Sequence, residues 1–301
     1  MEGIVLFNKP AGVTSYQIVE FFKKRTNKKV GHGGTLDPMA EGLLIIGIGD
    51  HTKKLSNFLN KSIKVYIATI KLGYVSNTYD KEGEIVKTNK NIPELDEVKK
   101  ILEEFRGRIK QTPPIFSAIK IKGIPAYEIA RKGKTIKLKE REVYVYEIEL
   151  LKFENDEIIL KLKVGSGFYV RSFANDLGEK LGCGAYLENL IRTEINNFKL
   201  EEALSFQDFE KDFLEFKAKI YGRVQGVGYR YFAKKIAKNL NIFGYAKNLE
   251  DGTVEILAQG REESLQEFIE YLKKGPFLAK VEQIDILFKK PIDIQINFDI
   301  K

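Results

Sequence analysis

The sequence predicts an α+β chain of two domains, and three observations carry that reading. At about 150 residues per domain, a chain of 301 residues has room for two. As far as residue 212, runs rich in β-branched and aromatic residues alternate with amphipathic, helix-spaced runs. At about residue 214 the text changes character. It then reads β-α-β-β-α-β with a closing strand, the split βαβ order, all within residues 214–301. The boundary is therefore set at 213, a tight junction without a Gly/Ser linker, giving domains 1–213 and 214–301.

The elements follow in order. GIVLFNKP at the start reads as a short strand ended by a proline. Residues 15–25 repeat apolar positions at helical spacing, with Ser15 as the expected N-cap. A glycine-rich loop then leads into the apolar strand around Leu43 to Ile48. Residues 64–72 read as a strand and 93–105 as an amphipathic helix. Residues 106–142, with Pro113, Pro114, Gly123 and Gly133, read as loop and helix. Strands are predicted over 143–152 and 157–164, and a helix over 171–181 that ends at Gly182. In the second domain, strands are predicted over 216–224, 242–248, 253–258, 281–289 and 292–300, and helices over 231–240 and 262–274.

Composition excludes several classes. With 43% hydrophobic and 31% charged residues, the chain is too apolar and too evenly charged for general disorder. One cysteine, Cys183, leaves no disulfide framework, and two histidines, His32 and His51, make a histidine-built metal centre a poor fit. No signal-peptide layout opens the chain, and no apolar run nears the roughly 20 residues of a membrane helix. The expectation is a soluble cytoplasmic protein, monomeric and without membrane association. The net charge is +8, yet residues 106–141 alone hold eleven basic residues against Glu128 and Glu140, which is +9. That segment is either a solvated lysine-rich face or a surface for a nucleic-acid backbone.

GHGGTLDP (31–38) sets Asp37 after three glycines and before a proline, which biases its backbone to an extended form. Alone, it reads as a turn aspartate. The segments NKPAGVTS (8–15), GHGGTLDPMAEGLL (31–44), KVYIATIKLG (64–73), TPPIFSAIKIKG (112–123), AYEIARKG (126–133) and GSGFYVRSFANDLG (165–178) change that. Together they resemble, in order and spacing, the motifs of the TruB-type tRNA pseudouridine synthases, over residues 1 to about 212. Phe116, Phe168 and Phe173 stand where that family commonly has other residues. The resemblance implies a mixed, largely antiparallel sheet domain that isomerises uridine 55 of the tRNA T-loop to pseudouridine, without cofactor or metal. It implies that Asp37 attacks the sugar carbon or helps remove its 2′ proton, two routes that stay open. It makes Arg171 the cation paired with Asp37, and Tyr66 the ring stacked on the flipped base. His32 becomes the wedge in the T-loop, and Lys9 and Lys64 supports for the active-site loop and the RNA backbone. The basic segment, including Lys120 and Arg131, becomes an RNA contact. The family usually ends in a small PUA-type RNA-binding module, which residues 214–301 do not resemble.

A second constellation lies in GRVQGVGYR (222–230). A glycine loop at a helix N-terminus aims several backbone N–H groups at one spot, an anion cradle, with Arg230 placed to clamp phosphate oxygens. With GYAKNLEDGTVEI (244–256), residues 215–301 resemble acylphosphatases, a ferredoxin-like fold. The resemblance makes Arg230 the phosphate clamp and Asn248 the residue that orients the attacking water. Gln225, Gly226, Val227, Gly228 and Tyr229 form the phosphate loop, Tyr229 replacing a common phenylalanine. A small acyl phosphate is the implied substrate. Two alternatives stand beside this fusion of activities: a non-catalytic C-terminal module that binds tRNA or an anion, and a tRNA chaperone role.

Overall fold

The computed structural model describes all residues except Ala118, Lys122, 132–137 and Ile292. Two compact units emerge. One comprises Met1–Asp37, Gly42–Phe58 and Phe198–Lys301, the other Pro38–Glu41 and Leu59–Asn197. The expected boundary at 213 thus falls inside the first unit, which gathers both ends of the chain.

In the first unit the strands run in the order Phe298–Ile300, Phe243–Asn248, Val254–Gly260, Leu214–Arg223, Lys280–Lys289, Gly3–Lys9, Glu41–Ile48 and Val30–Gly33. Two pairings are parallel: Phe298–Ile300 with Phe243–Asn248, and Gly3–Lys9 with Lys280–Lys289. The others are antiparallel. The second parallel pairing sets Ile4 opposite Leu287 and Val5 opposite Phe288. Gly3 permits it: with φ at 140°, a Cβ there would lie 2.8 Å from the Ile286 carbonyl oxygen. One apolar cluster spans this join, from Val5, Phe7 and Phe22 to Phe216, Phe268 and Phe288. Phe7 meets Phe22 edge-on at 5.5 Å and Phe206 at 5.1 Å. Phe7 and Phe22 are fully buried, and each contributes about 1.5–3 kcal/mol.

Helix Ser15–Thr26 starts one residue earlier than the sequence predicts. Thr14, not Ser15, is the cap, and it forms a reciprocal capping box with Gln17. Ser15 is buried and bonds elsewhere.

The second unit orders its strands Ala185–Ile195, Lys64–Leu72, Glu157–Val164, Arg141–Glu154 and Gly107–Gln111, antiparallel throughout. Lys64–Leu72 has the predicted bounds and buries Tyr66, Ala68, Ile70 and Leu72 along one face. Helix Val170–Lys180 lies against Ala185–Ile195 so closely that a Cβ on Gly178 would sit 2.0 Å from the Ala185 nitrogen.

Three predictions need correction. Ala185–Ile195 was not foreseen, because bulges between Leu187 and Asn189 and between Arg192 and Glu194 break its two-residue period. Gly107–Gln111 is a strand, not part of a loop-and-helix region. The expected strand over 292–300 shortens to Phe298–Ile300, with Ile292 outside the described residues. Its upstream backbone bonds a side chain instead. Gln259 donates to the Asp293 carbonyl at 2.6 Å and accepts from the Gln295 N–H at 2.8 Å.

Gly178→Ala is expected to destabilise the chain by about 1–3 kcal/mol, the usual cost of overpacking. Urea unfolding of the full chain checks it, with an unchanged midpoint as the adverse result.

Candidate active sites

In the first unit, Asp37 sits half-buried in the loop between Val30–Gly33 and Glu41–Ile48. The neighbouring residue fixes it. Leu36 is buried in the core, and the Ser15 hydroxyl clasps both its peptide groups, donating to the Leu36 carbonyl and accepting from its N–H, each at 3.0 Å. Lys9 is fully buried, and its ammonium donates to the carbonyls of Pro10 at 2.9 Å and Val13 at 2.6 Å. The cation thus braces the NKPAGV loop from within. His32 lies on Val30–Gly33, half-buried and in register with Ile46.

The second unit holds Tyr66, Arg171 and Lys64. Tyr66 is buried on Lys64–Leu72, opposite Leu162 on one side and Arg192 on the other. Arg171 is the second residue of helix Val170–Lys180 and is 5% exposed. It forms an ion pair with Asp80 at 3.2 Å and donates to the carbonyl of Phe116 at 2.9 Å and more weakly to that of Thr78 at 3.4 Å. Asp80 is 1% exposed and also accepts from the Thr78 hydroxyl at 2.5 Å and the Glu82 N–H at 3.1 Å.

The start of that helix is tied down. The Gln111 amide donates to the Tyr169 carbonyl at 3.0 Å and accepts from its N–H at 2.8 Å. Ser172 donates to the Thr112 carbonyl at 2.7 Å. The QTPP stretch therefore anchors the arginine-bearing turn. Lys64, half-buried, has its ammonium pushed down to about 8 by burial and by the Arg192 guanidinium.

Of the basic segment, Lys122, Lys132, Lys134 and Lys137 lie outside the described residues, as do the side chains of Lys120 and Arg131. Arg106 is engaged locally, with Glu103 at 2.6 Å and the Ile148 carbonyl at 2.7 Å, and Arg108 pairs with Glu142 at 3.4 Å.

The cradle lies in the first unit, between strand Leu214–Arg223 and helix Tyr229–Asn239. Gly226 and Gly228 take left-handed φ values of 73° and 77°, with open space where a Cβ would point. Val224 and Val227 are buried and pin the loop to the core. The Gln225 amide donates to the carbonyls of Leu249 and Thr253, both at 2.8 Å, and so ties the cradle to the hairpin that carries Asn248. The Asn248 side-chain oxygen is buried without a hydrogen-bond partner among the described residues. Arg230 donates to the Lys301 carbonyl at 3.0 Å. The Tyr229 phenol donates to the Leu272 carbonyl at 2.5 Å, and burial raises its pKa. Among the described residues no three acidic, histidine or cysteine side chains gather in a metal-binding group. No helix among them is long and apolar enough to cross a membrane.

The sequence reading did not single out Ser15 as a loop clasp, nor Asp80, Gln111 or Arg192. Asp80 sits in the turn-like text NTYDKEG, and only its pairing with a residue 91 positions away reveals it.

With this geometry the chain can be compared with known proteins. A solved structure titled "Crystal Structure of a Cbf5-Nop10-Gar1 Complex" superposes with a TM-score of 0.56 at 23% identity, over 94% of this chain and 84% of that one. That likeness defines the fold. Residues 23–170 match the TruB family pseudouridylate synthase (N terminal domain), residues 171–224 the tRNA pseudouridylate synthase B C-terminal domain, and residues 216–300 acylphosphatase. The tRNA pseudouridine synthase B of Aquifex aeolicus (strain VF5) is 46% identical over 212 residues, 69% of this chain and 74% of that protein. Its counterpart in Francisella philomiragia is 44% identical over 223 residues, 73% of each. The chain belongs to the TruB family of pseudouridylate synthases and carries an acylphosphatase domain at its C-terminal end.

Because the folded chain releases the Lys64 proton near pH 8 while an unfolded lysine holds it to about 10.4, stability should rise as pH increases through that window. Lys64→Met should flatten this rise, as read by denaturant unfolding at pH 7 and pH 9.5. Equal slopes in both proteins would count against a buried Lys64 ammonium.

Proposed function

We propose that this chain isomerises uridine 55 in the T-loop of tRNA to pseudouridine, and that its C-terminal domain hydrolyses acyl phosphates. The first half rests on one observation. Over the 212 residues that are 46% identical to a tRNA pseudouridine synthase B, the carboxylate, aromatic and guanidinium that the chemistry needs are all present as Asp37, Tyr66 and Arg171. The reaction breaks the bond from ribose to N1 of the base, turns the base and rejoins it through C5. Asp37 acts at the sugar, by attack on carbon or by helping to remove the 2′ proton. Tyr66 stacks on the extruded base, offsetting its lost neighbours, and is placed to take the proton from C5. Arg171 supplies the positive charge that keeps a carboxylate ionised in a dry site. His32 wedges the loop from which the base leaves. Lys9 braces the active-site loop from within, and Lys64, Lys120 and Arg131 support the RNA backbone, whose phosphates give affinity whereas shape and the flipped base give specificity. Residues 1–213 carry this activity and residues 214–301 the second.

The second half rests on Asn248. A buried amide oxygen without a partner is costly, and this one ends the strand whose hairpin the cradle loop grips through Gln225. A water held by that oxygen is the nucleophile. The N–H groups of residues 225–229 and Arg230 stabilise the phosphoryl oxygens. The water attacks phosphorus, the anhydride P–O bond breaks, and carboxylate and phosphate leave. A non-catalytic anion-binding role for the same loop is the other reading, and the orphaned oxygen favours hydrolysis over it.

Asp37→Asn in the full chain should abolish pseudouridine formation on an unmodified tRNA transcript while leaving tRNA binding in place. Full isomerisation by that variant would overturn the assignment. Asn248→Ala should lower acyl phosphate turnover on the order of 100-fold, and unchanged turnover would leave the loop as an anion-binding element. Point variants suit these tests because the apolar core that holds Phe7 also holds Phe216 and Phe288.

A further inference from the structure

The two helices of the acylphosphatase domain differ sharply in charge. Glu262–Lys274 carries four glutamates against two lysines, and one of those glutamates, Glu262, is committed to Arg25 at 2.6 Å. Tyr229–Asn239 carries Arg230, Lys234, Lys235 and Lys238 and no acidic residue, so its 11 residues hold +4. The charges are also aligned. Tyr229, Ala233 and Ala237 are buried against the domain core. Tyr231, Lys234, Lys235 and Lys238, at i, i+3, i+4 and i+7, form one solvent-facing stripe. Tyr231 is 73% exposed, so packing in the domain core does not account for its ring. One acid, Asp299, comes near the stripe, 3.8 Å from Lys234 and itself 62% exposed. Lysines kept only for solubility would tolerate interspersed acids, as the other helix does. Three aligned lysines, answered by a single exposed acid at Lys234, with an exposed ring at one end fit a polyanion whose phosphates are spaced along a backbone and whose bases or riboses offer a flat face.

We propose that this stripe is a tRNA-binding surface, set apart from the phosphate cradle, through which the acylphosphatase domain holds the substrate of the synthase. The partner's identity rests on the tRNA reading above. The RNA backbone runs along Lys234, Lys235 and Lys238, and Tyr231 stacks on an exposed base or packs on a ribose. The contact is electrostatic, independent of base sequence and sensitive to salt. The domain thereby adds its own hold on the RNA.

The test uses the full chain with Lys234, Lys235 and Lys238 all changed to glutamine, and separately Tyr231→Ala. Equilibrium binding of unmodified tRNA transcript is measured between 50 and 300 mM KCl (about that range, chosen to span strong screening). The triple variant should bind about tenfold more weakly at the low end, with the slope of log Kd against log salt reduced by about 2–3, near one per lysine. Tyr231→Ala should weaken binding several-fold without changing that slope. Acetyl phosphate hydrolysis, read in parallel, should match the parent in both variants, which shows the domain folded. Parent-like affinity and slope in the triple variant would overturn the proposal. Failure of the parent chain to form pseudouridine would fall instead on the reading beneath it, and the two results are read from different proteins.

Discussion

A cation taken out of water must be answered by carbonyl or carboxylate oxygens, or it neutralises or unfolds its surroundings. Much of this molecule is arranged to meet that demand. Lys9 is fully buried and is met by two carbonyls of its own loop. Arg171 is met by the Asp80 carboxylate and by the Phe116 carbonyl. Segments remote in sequence are thereby held in place: the turn at Asp80, the stretch after Pro114 and the helix from Val170 all converge on one guanidinium. Gln111 and Ser172 then fix the helix start through backbone groups, so the arginine has little freedom to drift. Rigid placement of a charged group by such neighbours is what a reaction requiring accurate positioning of sugar and base needs.

The sequence made the regular parts legible. Lys64–Leu72 and Glu262–Lys274 have their predicted bounds because strict periodicity and clean breaks mark them. It was silent where side chains replace backbone pairing or where bulges disturb the period. Gln259 satisfies the backbone at Asp293 and Gln295, so the closing strand is shorter than its β-rich text implies. Arg192, buried in the middle of Ala185–Ile195, makes a core strand look like surface text. Candidate residues inside recognisable motifs, such as Asp37 among its glycines and Asn248 before its turn, were singled out through the family resemblance rather than by their local text, which reads as turns. Asp80 and Ser15 were not, since their importance lies in partners 91 and 21 positions away.

The acylphosphatase domain carries its glycine loop between Leu214–Arg223 and Tyr229–Asn239, and it gives one sheet edge to the rest of the chain. Strand Lys280–Lys289 pairs with Leu214–Arg223 on one side and Gly3–Lys9 on the other. The join is reinforced by Lys54 with Asp285, and by Glu2, which is held well down, to about 2, by Lys28 and Lys273. The glycine loop and Asn248 lie off strand Lys280–Lys289, so the seam leaves them free.

That seam links residues at opposite ends of the sequence, and this matters for how the chain is made. Synthesis at about 5–20 residues per second delivers Gly3–Lys9 well before its partner at Lys280–Lys289 exists. For that interval one side of the first strand is an unpaired edge flanked by apolar residues, the kind of surface that recruits foreign strands. Glu41–Ile48 emerges early enough to cover the other side. Pairing the two strands closes a loop nearly as long as the chain, the kind of long-range contact that forms slowly.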